Sequence, residues 1–170
     1  MGEKDLTLVH YSPKTYDYRS FYSGEPELDE WLAKYAGQSE KRMQTRTHLL
    51  IGPEPESRYI YGYIAIANFR LLPEETSLFF EKPATYDLSA TRLVKLAVAE
   101  EYQGQGLGGA LLVHAMQVSL EAAKLSGSAA MIVDALNEHV RSFYERYGFV
   151  RLEDDSLRLA MSMATIAKAF

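Results

Sequence analysis

The 170-residue chain has no cysteine, which excludes disulfides, thiol nucleophiles, thiolate-ligated zinc and iron–sulfur clusters together. It has no apolar run approaching the ~20 residues that a membrane-crossing helix needs. Residues 1–5 offer neither the basic start nor the apolar stretch of a signal peptide, so a soluble, cytoplasmic protein is expected. Basic excess is also missing: 18 Lys and Arg face 23 Asp and Glu, giving a net charge of −5. That balance argues against a generic nucleic-acid binder. Repeats and low-complexity tracts are absent. What is present is a 47% hydrophobic fraction with 12% aromatics, enough for a continuous core in one domain over residues 1–170.

The hydrophobic pattern predicts strands near residues 6–10, 47–51, 58–67, 92–99, 129–133, 149–151 and 157–163. Ser23 as cap and Pro26 in a first turn predict a helix entrance, behind which Leu28, Trp31, Leu32 and Tyr35 form one apolar stripe. A long helix follows residue 107 and stops at Gly127, and a shorter one over 138–147 closes at Gly148. Residues 71–87 hold Pro73 and Pro83 and read as a functional loop or lid. Strands and helices alternate in the second half, while the first half reads as antiparallel. The expected class is α/β (α+β), with a mixed sheet of about six to seven strands and about four helices.

The strongest chemical signal is Gln103-Gly104-Gln105-Gly106-Leu107-Gly108-Gly109, placed between a strand and the long helix. Glycine lets the backbone approach a ligand closely, and a helix N-terminus presents free N–H groups with partial positive charge. The natural guest is a phosphate, and no acid interrupts residues 103–109. No lysine follows, so a P-loop is excluded. A dinucleotide site is rejected because the loop lies past mid-chain and Glu121 falls inside the helix. The alternative is a tight strand-to-helix turn with no ligand. His10, His48, His114 and His139 show no metal-ligand spacing, and no metal is expected.

Residues 103–108 fit the Q/R-x-x-G-x-G/A signature of the GNAT acetyltransferases. Leu96-Ala97-Val98 precedes it, and Asn137 with Phe143-Tyr144-Glu145-Arg146-Tyr147-Gly148-Phe149 follows it, in the order and spacing of that family. The opening from Phe21 to Leu32 and the later Tyr61-Gly62-Tyr63 further resemble the TacT-like toxin branch, whose members acetylate the α-amine of aminoacyl-tRNA. Lys95 stands where that branch often has arginine. The resemblance implies a GNAT fold and acetyl-CoA as co-substrate. It also implies a cognate DNA-binding antitoxin, and a homodimer.

On this resemblance, Leu96, Ala97, Val98, Gln103, Gly104, Gln105, Gly106, Gly108, Gly109 and Asn137 would bind the cofactor. Tyr144 would be the general acid, since a phenol of pKa ~10 stays protonated at neutral pH; ordinary helix packing is its competing reading. Tyr147 and Phe149 are read as core. Lys34, Lys41, Arg42 and Arg46 form a local basic island, and with Arg92 and Lys95 they are the candidate tRNA contacts. A solvated helix face is the plain alternative. The functional alternative is a GNAT acting on a small amine, polyamine or peptide N-terminus, and a CoA-binding module without transfer is a third.

Overall fold

The computed structural model describes residues 5–77, 79–153 and 155–170. Its strands form one seven-stranded mixed sheet in the order β1-β2-β3-β4-β5-β7-β6. They are β1 (Thr7–His10), β2 (Arg46–Ile51), β3 (Ile60–Leu71), β4 (Leu88–Val98), β5 (Ala130–Asp134), β6 (Val150–Arg151) and β7 (Arg158–Ser162). The helices are α1 (Pro26–Glu30), α2 (Ala36–Lys41), α3 (Leu107–Ser126), α4 (Glu138–Arg146) and α5 (Met163–Ala167). The chain divides into two compact units, Met1–Ile66 with Lys95–His114, and Ala67–Val94 with Ala115–Phe170.

In the first unit β1, β2 and β3 pair antiparallel, with His10 opposite His48 and Leu49 opposite Tyr63. From Ile60 to Ile66 β3 is buried on both faces, which explains its nearly unbroken apolar run. Phe21, Leu28, Leu32, Ala36, Leu49, Ile60, Tyr63, Ala97 and Ala99 form one core cluster. Each large apolar side chain buried there contributes roughly 1.5–3 kcal/mol. Tyr63 is central: Trp31 stacks on it at 5.9 Å, Phe21 meets it edge-on at 5.5 Å, and its hydroxyl donates to the Leu28 carbonyl at 2.7 Å. The phenol therefore enters the core with its polar end satisfied.

Two local expectations change here. Ser23 does not cap α1. Instead the Asp29 carboxylate accepts from the Ser23 N–H at 2.9 Å and from its hydroxyl at 2.6 Å, tying the entrance to the helix that follows. Nor does Tyr35 continue the buried stripe. A π-helical turn, Trp31–Tyr35, joins α1 to α2, and the Ala36 N–H donates to Trp31 O, five residues back. The stripe passes through Leu28, Leu32 and Ala36, all buried, and leaves Tyr35 exposed.

A chain of three imidazoles crosses this unit. His48 Nδ1 and His114 Nε2 lie 3.1 Å apart, and the His10 ring is 4.5 Å from His48. Burial, with the positive charge His10 and His114 can carry, pushes the His48 pKa from 6.5 down to about 4. Burial lowers that of His114 too.

In the second unit β4 and β5 run parallel, with Thr91 to Leu93 opposite Met131 to Val133, joined by the crossover through α3. β5 pairs antiparallel with β7, and β7 with β6. α5 had no signal in the sequence: five residues are too short for a periodic pattern. The Ser162 side chain caps it, accepting from the Thr165 N–H at 3.1 Å, and it buries Met163 and Ile166. Within residues 71–87, read as a functional loop or lid, Thr76 and two phenylalanines are anchored. The buried Thr76 hydroxyl donates to Pro73 O at 2.6 Å and accepts from the Ala84 N–H at 2.9 Å. Phe79 and Phe80 pack on the cluster of Leu71, Ala90, Ala130, Ile132, Leu152 and Ala160.

Two predictions follow from this packing. Between pH 6.5 and about 4 the unfolded chain binds more protons at His48 than the folded one. Stability from the neutral imidazole is thus complete above pH 6.5 and is lost as pH falls toward 4. Thermal melts across this window should show Tm dropping on acidification, with a shallower slope in His48→Gln; an equal slope would remove His48 as the cause. At Gly62 a Cβ would lie 2.8 Å from the Ala97 carbonyl oxygen and 2.9 Å from Leu111 Cδ1. Because the first obstacle is backbone, Gly62→Ala should cost about 1–3 kcal/mol and lower Tm by several degrees. An unchanged melt would mean that the strand shifts freely.

Candidate functional site

The carboxyl end of β4 carries the chain into the glycine loop. The Ala99 N–H donates to Tyr61 O at 2.8 Å, so by strand alternation the N–H groups of Leu96 and Val98 point away from β3. Ala97 and Val98 are buried, and the Ala97 side chain belongs to the core cluster, leaving only backbone for recognition. A 3-10 turn, Glu100–Tyr102, then reverses the chain.

Gln103 was expected to hold phosphate. Its side-chain amide instead donates to Ser23 O at 2.7 Å and to Val98 O at 2.9 Å, and its backbone N–H donates to Glu100 O at 3.2 Å. With its donors engaged inside the chain, Gln103 sets the position of the loop.

Beyond it Gly104 and Gly106 have φ of +78° and +84°, and a Cβ at either would meet nothing within 4 Å. The need for glycine at these two positions is conformational, not a matter of space. The Ala110 N–H closes the first turn of α3 on Gly106 O at 3.1 Å. Among the described residues, no backbone carbonyl accepts from the amides of residues 104–109. Residues 104–106 are exposed, Leu107 and Gly108 half-buried and Gly109 buried, at the N-terminus of a 20-residue helix. Unengaged amides with a helix dipole behind them fit a pyrophosphate, so the loop suits the phosphates of acetyl-CoA. Of the two nearby acids, Glu101 accepts from the Tyr59 hydroxyl at 2.7 Å, and both are exposed, as solvated helix-entry residues would be.

The other candidates belong to the second unit. Asn137 is the N-cap of α4; its Oδ1 accepts from the Val140 N–H at 3.0 Å. Tyr144 is buried, with Phe143 and Phe149 at 5.3 and 5.8 Å. Burial, reinforced by the Asp134 carboxylate, holds its pKa well above the ordinary phenol value, so it is protonated at neutral pH. Phe149 is core as expected, whereas Tyr147 is exposed and only rests against Phe143 at 5.2 Å.

Of the six basic candidates, four are paired within the chain. Lys34 meets Glu30 at 3.0 Å, Arg46 meets Glu40 at 2.8 Å, Lys95 meets Glu27 at 3.4 Å and Arg92 meets Asp134 at 2.7 Å. Asp134 also accepts from Arg158 at 2.8 Å. Lys41 and Arg42 are exposed and have no carboxylate partner among the described residues. The pairs of Lys95 and Arg92 leave no local sequence signal, since their partners are distant in the chain, whereas Lys34 and Glu30 stand four residues apart. Among the described residues no group of three His, Asp or Glu could hold a metal ion. The imidazole chain is no exception, because His48 and His114 are hydrogen-bonded to each other.

Over 147 residues the chain is 29% identical to a tRNA-acetylating toxin of Mycobacterium tuberculosis, covering 86% of each. Its fold matches AtaT complexed with acetyl-methionyl-tRNAfMet at a TM-score of 0.86 and 26% identity, covering 98% of this chain and 99% of that one. It also matches an AtaT mutant toxin, a tyrosine replaced by phenylalanine, bound to the C-terminus of the antitoxin AtaR and to acetyl-CoA. There the TM-score is 0.82 and the identity 28%, over 98% of each chain. Residues 59–151, which carry both the glycine loop and the Phe143-Tyr144 pair, match the acetyltransferase (GNAT) domain family. Since that match spans more than half of the sequence, the chain belongs to the GNAT acetyltransferases.

Proposed function

We propose that this chain transfers the acetyl group of acetyl-CoA to the α-amine of an aminoacyl-tRNA and so blocks translation, under the control of a DNA-binding antitoxin. The observation that carries this reading is the extent of its likeness to AtaT complexed with acetyl-methionyl-tRNAfMet, which spans 98% of this chain, well beyond the cofactor loop. Such a substrate is cytoplasmic, and that location follows for the enzyme. Action as one domain, and as a homodimer, is carried over from the family resemblance.

Acetyl-CoA supplies an acetyl group activated as a thioester. The amides of residues 104–109 hold its phosphates, while the backbone of Leu96 and Val98 aligns the pantetheine arm. The Val98 N–H donates to the carbonyl oxygen as charge grows there, a kind of contact worth a few kcal/mol. The amine forms the new C–N bond and loses a proton to water; the C–S bond breaks, Tyr144 donates its proton to the departing thiolate, and solvent returns a proton to the phenolate. The α-amine of an aminoacyl ester is a weak base, so no carboxylate is needed to deprotonate it. Glu101, tied to Tyr59, does not serve as that base.

Mass spectrometry of aminoacyl-tRNA treated with the purified protein and acetyl-CoA should show N-acetylaminoacyl ends. Transfer to polyamines or peptide N-termini with none to tRNA would overturn the proposal. Tyr144→Phe should lower kcat by about 10²–10⁴-fold and leave KM for acetyl-CoA nearly unchanged; an unaltered kcat would return Tyr144 to core packing. Gly106→Ala forces a side chain into positive φ at a cost of roughly 1–2 kcal/mol. Calorimetry should show CoA binding weakened about 5- to 30-fold, and equal affinity would remove the loop as the phosphate site.

A further inference from the structure

The π turn does more than interrupt a helix. By taking up one extra residue it turns Tyr35 out of the core, where it is 53% exposed, and among the described residues no other ring packs on it. Turns of this kind are rare and frequently lie at functional sites. Along the exposed side that Tyr35 joins lie Gln38, Lys41 and Arg42, three, six and seven residues on, all exposed. The carboxylates of this helical run are engaged elsewhere. Glu27 pairs with Lys95, Asp29 is held by Ser23, Glu30 by Lys34, and Glu40 by Arg46 and the Thr47 N–H. This side therefore presents two unneutralised cations and one open aromatic ring, in a chain whose net charge is −5.

We propose that Tyr35 is a stacking platform for an unpaired base of the RNA acceptor, with Lys41 and Arg42 meeting the flanking phosphates. This rests on the reading of the acceptor as aminoacyl-tRNA and names where that RNA is gripped. Cations alone would suit an acidic peptide equally well. A flat ring open to solvent beside them suits a nucleobase, because every base has a π-face to stack. The π turn is then the device that supplies the ring: continued α-helical geometry keeps Tyr35 on the stripe of Leu28 and Leu32, in the core.

The test uses the full chain with two acceptors, intact aminoacyl-tRNA and an amino-acid ethyl ester, a small α-amine acceptor that carries no base. Tyr35→Ala should raise KM for aminoacyl-tRNA by about 5- to 100-fold. It should leave kcat, KM for acetyl-CoA and KM for the small acceptor unchanged, and Tyr35→Phe should restore the tRNA value. Replacing both Lys41 and Arg42 by Ala should flatten the dependence of log KM on log salt by about 1–2. An unchanged KM for tRNA in Tyr35→Ala overturns the proposal, as does an equal loss on both acceptors, which marks a structural defect. Loss of binding to an acidic peptide with tRNA kinetics intact overturns it in favour of a protein occupant. If the parent enzyme acetylates no tRNA but does acetylate the small acceptor, the substrate reading itself fails, and this inference with it.

Discussion

One side-chain amide fixes the geometry on which the glycine loop depends. Gln103 reaches back to the carbonyl of Val98, the last residue of β4, and across to that of Ser23, ahead of α1. The strand end, the loop and the approach to α1 are thereby locked by a single planar group. Because that amide is committed inward, the loop offers backbone N–H groups to an incoming anion. A surface of peptide amides has no side-chain entropy to lose when an anion arrives. Gly62 belongs to the same constraint, since β3 can come so near Ala97 only where no Cβ intervenes.

Charge is handled locally. A net −5 looks unfavourable for a chain proposed to hold two polyanions, yet the loop contains no acid, and the nearest ones are exposed or turned aside. Near the basic island the same logic works in reverse: the acids are absorbed by serine, lysine, arginine and backbone partners, leaving Lys41 and Arg42 unneutralised. The exposed Lys34–Glu30 ion pair contributes little stability. What these pairs do is decide where the field of the protein is positive.

The parts of the site legible in the sequence were those written in backbone chemistry. Glycines between an apolar strand and a long amphipathic helix define a loop whatever surrounds them, and residues 103–109 lie where that pattern put them. The parts that were not legible depend on contacts between distant residues, or on geometry without a residue signature. The commitment of Gln103 needs Ser23 to be nearby, and Ser23, expected as the cap of α1, instead donates to the Asp29 carboxylate inside that helix. The side chain of Asn137, expected at the cofactor, also makes an ordinary helix cap. Tyr35 fits an α-helical stripe by spacing, and no residue type announces a π turn.

That turn has a consequence for how chains of this kind can be compared. A helix with one wide turn is a residue longer than an ordinary helix that buries the same positions at both ends. Two descendants of one ancestor can therefore share α1 and α2 while differing by a single codon between Pro26 and Lys41. Lining them up without a gap at Trp31–Tyr35 would equate a core residue of one with a solvent-facing residue of the other, and a gain of surface chemistry would be read as a loss of packing.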